Sequence, residues 1–446
     1  MMKGRCILKK RTLQLSLFLL LCVFILNASG CGSSNNSPVA NSYTGSKYET
    51  TEKNETANNG YTVTGTKDFS DGYAWISIRQ GAKGQSKRAC IDTSGKIQFI
   101  LDDIVEGTLT NDQIRDFKSG YAAVKDNSNN TYILDTKGNI VSSSKTGNYD
   151  HIVCYGDGYF LTEKKNNNLH EVNYTFSVID ANENYLLTDC YTTEKEITDY
   201  YAFNYRGDNI FSYTRYSNGY GSGYDFINVK TGKVFAIDVD AFYGYSDNKG
   251  IARNDSKNQI VDVNGNYTEI PLERCYAKSS IYNNSFAYQK SNDDSLYVYN
   301  LSTGQSKELY HCGTGISAKI CDYNNEVFLL NIVDTTTKTY EDWFTLVDYQ
   351  GNELFAPKEG DPIGFSSDRI TANYENHADK IKVFDNKGNE IIAAKEGELA
   401  LAQNGIYHDG FLCVNTNASS AFSGINCNNY IDINGNLLFP DGTITI

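Results

Sequence analysis

The chain is 446 residues long, carries a formal net charge of -14, and combines 34 Tyr and 37 Gly with only 5 Pro. An acidic chain of this kind argues against nucleic acid as a partner and against a polybasic membrane patch. β-formers and turn-formers dominate and no long stretch keeps a helical period, so the composition predicts an all-β protein.

Residues 1–30 open with Lys3, Arg5, Lys9, Lys10 and Arg11 and continue into an apolar run from Leu13 to Leu26. That run falls short of the roughly 20 apolar residues of a membrane span and, behind a basic flank, fits a signal peptide. It ends in Ala28-Ser29-Gly30-Cys31, which resembles the bacterial lipobox, with Ala28 where that motif carries Leu. The resemblance implies cleavage between Gly30 and Cys31 and acylation of the Cys31 thiol. An ordinary signal peptide cut nearby, with Cys31 incidental, is the alternative. Removing residues 1–30 removes five cations and no acid, so the charge moves from -14 to -19.

Residues 31–60 are rich in Ser, Asn, Thr and Gly and nearly devoid of aliphatic side chains. Such a segment cannot offset the entropy of ordering and reads as a tether. Residues 61–446 form the remaining domain.

From Phe69 onward one phrase returns nine times: a Gly or Asn turn, a Tyr/Phe-led strand, then a strand closing on Asp-x-x-Gly. Clear copies run from Asp71-Gly72-Tyr73-Ala74 to Ile91-Asp92-Thr93-Ser94-Gly95, and from Ser119-Gly120-Tyr121-Ala122 to Leu134-Asp135-Thr136-Lys137-Gly138. The turn residues are Gly95, Gly138, Gly232, Gly265, Gly304, Gly351, Gly388 and Gly435, with Asn182 or Asn184 standing in for the third copy. Their mean step of about 42 residues, with about four strands per unit, is the period of propeller blades. One unit is drawn as strands at Asp150–Cys154, Tyr159–Leu161, Tyr174–Ile179 and Tyr185–Leu187. The architecture predicted is eight to nine four-stranded units in a β-propeller, with an open β-solenoid as the alternative. Terminal strands at Tyr61–Thr64 and Thr443–Ile446 are placed to complete a blade begun at the other end.

Phe69-Ser70-Asp71-Gly72-Tyr73-Ala74, Phe117-Lys118-Ser119-Gly120-Tyr121-Ala122 and Tyr430-Ile431-Asp432-Ile433-Asn434-Gly435-Asn436 resemble the WG-repeat family of bacterial surface and secreted proteins. The chain departs from that family in having no Trp-Gly dipeptide; its two Trp are Trp75 and Trp343. The resemblance implies β-repeat architecture and brings no catalytic residues.

The acids of the phrase, Asp92, Asp135, Asp180, Asp262, Asp348, Asp385 and Asp432, recur at one phase before the turn. Recurrence marks them as turn-formers whose carboxylates bond nearby backbone while Gly takes positive φ. Asp262-Val263-Asn264-Gly265 and Asp432-Ile433-Asn434-Gly435 start like calcium loops. Tyr267 and Leu437 nevertheless stand where an EF-hand needs Gly. The five His (His151, His170, His311, His377, His408) show no metal-ligand spacing, and no nucleophile elbow, phosphate loop or His-Glu-x-x-His stretch occurs. No metal and no cofactor is expected.

Eight Cys follow Cys31; Cys413 and Cys427, on consecutive strands, are a candidate disulfide, and Cys312 with Cys321 a weaker one. The cluster Tyr213, Tyr216, Tyr220 and Tyr224 breaks the repeat and reads as a long hairpin loop, the candidate binding surface. Together these features point to a non-enzymatic lipoprotein anchored on the extracytoplasmic face of a bacterial cell membrane, its β-repeat domain binding or scaffolding a protein, glycan or envelope polymer. The alternative is an extracellular propeller hydrolase or lyase acting on polysaccharide. That reading requires two non-repeat acids, or an acid and a His, converging at one mouth of the ring.

Overall fold

In the computed structural model the described residues are 60–445, apart from 106–112, 168–171, 195–202, 218–219, 247, 255–256, 325, 337–340, 375–376, 394–399, 402–404 and 417–426. Apart from one 3-10 turn at Leu101–Asp103, their regular structure is β-strand. The unit drawn from the sequence is realised as blade 3, with strands His151–Gly156, Tyr159–Asn167, Val172–Asp180 and Tyr185–Thr193 in antiparallel order.

Nine such sheets follow one another in sequence. Blade 1 is built on Tyr61–Thr66, Tyr73–Arg79, Ser86–Asp92 and Ile97–Ile100. Blade 2 has Tyr121–Lys125, Thr131–Asp135 and Ile140–Ser143, its first strand reduced to the bridge between Ile114 and Val124. Blades 4 to 8 are four-stranded, starting at Phe203, Ala241, Cys275, Ile316 and Asp361, and blade 9 holds Ala400–Leu401, Phe411–Asn415 and Asn429–Asp432.

The sheets form a closed β-propeller because each buries its faces on both neighbours. Among the described residues there are nine apolar clusters, each spanning one pair of adjacent blades. The pair that decides between ring and solenoid is the last with the first. Cys413, Tyr430 and Phe439 of blade 9 pack with Val63, Ile76 and Ile91 of blade 1, and the Tyr430 hydroxyl donates to the Lys67 carbonyl at 2.6 Å. The C-terminal strand Thr443–Ile444 then pairs with Tyr61–Thr66 as a fifth strand of blade 1. The terminal strands thus meet each other in one sheet, and the ring, not the solenoid, is what forms.

Because neighbouring strands are antiparallel, the turns after the first and third strands share one face of the ring, and the turns after the second lie on the other. On the first face the first-to-second-strand turns bond from blade to blade. Asp409 Oδ2 accepts from Gly72 N at 2.8 Å, and Asp71 accepts from Gly120 N. Asp157 N donates to Ser119 Oγ at 3.0 Å, and the Tyr205 hydroxyl donates to Asp157 Oδ2 at 2.6 Å. Asp208 accepts from Asn248 N at 2.9 Å and Asp322 from Phe365 N at 2.9 Å. The acids of these turns therefore tie the ring together.

The turns after the third strands repeat one geometry. In all seven Asp copies, Oδ1 accepts from the backbone N–H groups two and four residues on, at 2.8 to 3.2 Å. Asn228 and Asn300 hold the same place in blades 4 and 6. In blade 3 the positive φ falls on Glu183 (60°), not on Asn182 or Asn184.

Candidate functional site

Turns after third strands, Gly304 excepted, pack on the preceding blade just beyond that blade's own corresponding turn. A Cβ placed on Gly138 would sit 2.7 Å from Phe99, on Gly265 2.6 Å from Phe235, and on Gly388 2.6 Å from Phe355. Gly232 meets Leu187 and Gly435 meets Ile392 in the same way. Phe99, Leu187, Phe235, Phe355, Ile392 and Phe439 all stand seven residues after the turn Asp or Asn. At this phase an apolar side chain plugs the gap between blades.

Three blades break the rule, with Ser142, Glu269 and Lys307 at that position. Glu183 spans the first gap, its Oε1 accepting from Ser142 Oγ at 2.8 Å. Between blades 6 and 7 no apolar plug exists. The fourth strand of blade 6, Gln305–Tyr310, begins Gln-Ser-Lys, and what a Cβ on Gly351 would meet first is the Glu308 and Leu309 backbone, not an apolar side chain. A groove of about 720 Å³ opens there, on the face that bears the blade-to-blade turns. This volume lies within the range of about 300–1,000 Å³ of small-ligand clefts.

The lining divides into committed and uncommitted groups. Asp348 is committed: it accepts from Gln350 N, Asn352 N and Asn352 Nδ2 at 2.8 to 2.9 Å. Burial alone would raise its carboxyl, but the Asn352 and Gln350 donors outweigh burial and hold it below the usual value. Asn300 bonds Ser302, Thr303 and Ser285, and the Lys307 ammonium donates to the Gln350 carbonyl. By contrast, the side chains of Asn283, Gln305, Glu326 and Gln350 make no hydrogen bond to other described residues while lining the groove. Tyr349 contributes a ring packed 4.5 Å from Phe328 and 5.8 Å from Tyr282, and Leu354 is 44% exposed. Its arrangement presents amide donors and acceptors over a partly apolar wall.

A smaller cavity of about 240 Å³ lies between blades 2, 3 and 4, beside Arg115, Lys118, Cys154 and Tyr205. Burial pushes the Cys154 thiol up to about 11, so it is protonated at neutral pH. Two acid–His pairs are present among the described residues: His311 Nδ1 stands 3.0 Å from Glu308 Oε1 at the end of the fourth strand of blade 6, and His408 Nε2 stands 4.0 Å from Asp68 Oδ2 where blade 9 meets blade 1. Nearby, Cys413 is buried and its thiol is raised well above the ordinary range, first by burial.

The tyrosine cluster occupies the second and third strands of blade 4, Ile210–Ser217 and Tyr220–Asn228, with its tip on the face opposite the groove. It is a paired hairpin almost to its end rather than a loop. Tyr213 packs on Phe203 and Tyr191 at 5.2 and 6.1 Å, and Tyr224 on Phe242 at 5.9 Å with Arg206 over its ring. Tyr216 and Tyr220 bracket the tip, where Ser217 pairs with Tyr220. Their side chains, like Gly30 and Cys31, lie outside the described residues.

Cys413 and Cys427 are both buried and free in this structure and belong to one apolar cluster; across the sheet Cys413 is paired with Tyr430, three residues beyond Cys427. All eight Cys of the domain are free, including Cys312 and Cys321. Among the described residues no group of three or more His, Cys, Asp or Glu could hold a metal ion, and no helix is long and apolar enough to cross a membrane.

Solved structures place the fold in company. A eukaryotic initiation factor structure matches 82% of this chain and 95% of its own, with TM-score 0.50 and 11% identity. TolB from Acinetobacter baumannii matches over 63% of this chain and 79% of its own, with TM-score 0.27 and 12% identity. The β-propeller domain of the Trilobed protease from Pyrococcus furiosus matches over 64% and 95%, with TM-score 0.33 and 10% identity. At these identities the likeness concerns fold alone. No protein-family model and no curated protein matches the chain. The groove is therefore read from its own chemistry. Sequence reasoning missed it because its signal is the lack of an apolar residue at Lys307, visible only once all nine units are aligned on the turn.

Proposed function

We propose that this protein is a lipid-anchored surface protein of the WG-repeat kind whose propeller binds a macromolecular or envelope-polymer partner without transforming it. The observation that carries the binding role is the open groove between blades 6 and 7, lined by polar side chains that the fold itself leaves unbonded. These side chains are exposed, so water holds them in the free protein and the hydroxyl or amide groups of a ligand can take that water's place at the cleft. The anchor rests on Ala28-Ser29-Gly30-Cys31 and the tether behind it.

Two measurements test the reading. Metabolic labelling with a palmitate analogue marks the wild type and not Cys31→Ala, and the variant leaves the membrane fraction. Crosslinking on intact cells captures a polymer or protein on the wild type. Labelling that persists in Cys31→Ala, or a protein that crosslinks to nothing, would refute it.

A second reading, a hydrolase or lyase acting on polysaccharide, is favoured by the His408–Asp68 pair. It requires turnover that His408→Ala abolishes, with chain cleavage followed by reducing-end assay. Unchanged substrate after prolonged incubation eliminates it.

A further inference from the structure

The groove also constrains what the partner is made of. Resting on the binding role proposed above, we infer that the blade 6–7 groove is a subsite for a neutral, hydroxyl-rich saccharide chain. Three side-chain amides, those of Asn283, Gln305 and Gln350, face it without an intramolecular partner. An amide offers a donor and an acceptor side by side, which suits adjacent hydroxyls that are themselves both donor and acceptor. Tyr349 and the exposed Leu354 supply an apolar wall on which the C–H face of a sugar ring can lie.

Charge narrows the choice. The groove contains one ammonium, Lys307, already donating to the Gln350 carbonyl. It contains two carboxylates, of which Asp348 is saturated by turn donors and Glu326 is unbonded. One ammonium and two carboxylates leave the groove with a net charge of -1, within a chain of formal charge -14. A polyanionic chain is repelled there, and a neutral chain is not. Glu326 accepts from hydroxyls as readily as the amides do.

Why the groove exists gives the decisive perturbation. Phe occupies the position of Lys307 in blades 1, 4, 7 and 9, and fills the gap there. Lys307→Phe restores the plug, so it closes the groove by the protein's own device; it gives up the ammonium's bond to the Gln350 carbonyl and keeps the bonds that Asp348 makes within the turn. Gln305→Ala removes an uncommitted amide from the edge of the sheet without filling space.

The full-length chain in detergent is titrated with chitohexaose, cellohexaose and maltohexaose by calorimetry, with dextran sulfate and poly-glutamate as further arms. At least one neutral hexaose binds. Lys307→Phe and Gln305→Ala each weaken it at least tenfold while thermal unfolding stays at or above the wild-type temperature for the former. If Lys307→Phe does not fold, Gln305→Ala, paired with Gln350→Ala, decides alone. Binding of dextran sulfate or poly-glutamate in place of the hexaoses, no binding of any hexaose, or hexaose binding that survives these changes overturns the inference. A cell-surface crosslink that Lys307→Phe leaves intact would then show that a partner exists and sits elsewhere, so the binding role outlives the saccharide subsite.

Discussion

Replacing Gly138 by Ala separates the two demands made on the turn glycines. The first is backbone: Gly138 has φ 83°, a region that costs an L-residue about 1–2 kcal/mol. The second is packing, since the new Cβ would stand 2.7 Å from Phe99 Cγ and 2.8 Å from Ile104 Cδ1. Overfilling of that kind adds about 1–3 kcal/mol, which brings the total to about 2–5 kcal/mol. Gly72 is the control, because its φ is 79° but nothing lies within 4 Å of its Cβ position, so Gly72→Ala costs only the backbone part, about 1–2 kcal/mol. Urea midpoints read by far-UV circular dichroism and by tyrosine fluorescence measure both. In a Phe99→Ala background the Gly138→Ala penalty shrinks by about 1 kcal/mol, with Ile104 accounting for the remainder. Equal midpoints for the two glycine variants, or no coupling with Phe99, would show that the blades do not seal at this position.

Two further outcomes follow from the same geometry. Asp92, Asp135, Asp180, Asp262, Asp348, Asp385 and Asp432 are all held below the ordinary aspartate value of 3.8, burial raising them and the turn donors lowering them by more. Their stabilisation is therefore complete above about pH 4 and is lost as pH falls through the lower folded values; urea midpoints drop steeply on that acid limb, Asp385→Asn flattens it, and an unchanged limb refutes the assignment. Deleting residues 443–446 removes the strand paired with Tyr61 and Thr62 and the buried Ile444, at about 2 kcal/mol or more. Hydrogen exchange then quickens at blade 1 amides while those of blades 4 to 6 hold, and exchange that quickens nowhere would mean the C-terminal strand is not part of the closure.

The phrase that returns every forty residues made the architecture legible, because turn chemistry is local. An Asp two residues before the backbone it bonds, and a Gly at positive φ, can be recognised within five residues. The same locality explains the errors. Asn228 and Asn300 do the work of Asp with one more residue before the glycine, so Gly232 and Gly304 marked these turns in the sequence while the side chains that hold them did not stand out. At Glu183 an L-residue takes the positive φ, since its neighbour is the small Ser142 rather than Phe, and the sequence pointed to Asn182 or Asn184. Cys413 and Cys427 were expected on consecutive strands, but Cys427 precedes the strand Asn429–Asp432. Pairing is set by register, and the register puts Tyr430 opposite Cys413.

The groove was hidden for a different reason. Gly351 and Lys307 belong to different blades, 44 residues apart, and neither is unusual alone. Only the contact between a turn and the preceding blade's fourth strand gives the position of Lys307 a meaning. In six blades that position is Phe, Leu or Ile, so the ring is sealed by a residue the turn itself does not specify. A propeller can thus open a cleft between two blades by one substitution that leaves every hairpin unchanged, since the plug takes no part in the turn hydrogen bonds. Blade 5, with Glu269 at this position, shows how narrow the condition is. Its neighbour's turn glycine, Gly304, has only the Tyr299 hydroxyl, at 3.7 Å, within reach of a Cβ. The large groove opens instead one blade on, where Lys307 is preceded by Gln305 and Ser306. Loss of the plug makes room, and a polar strand entrance beside it turns that room into a site with hydrogen-bonding groups to spare.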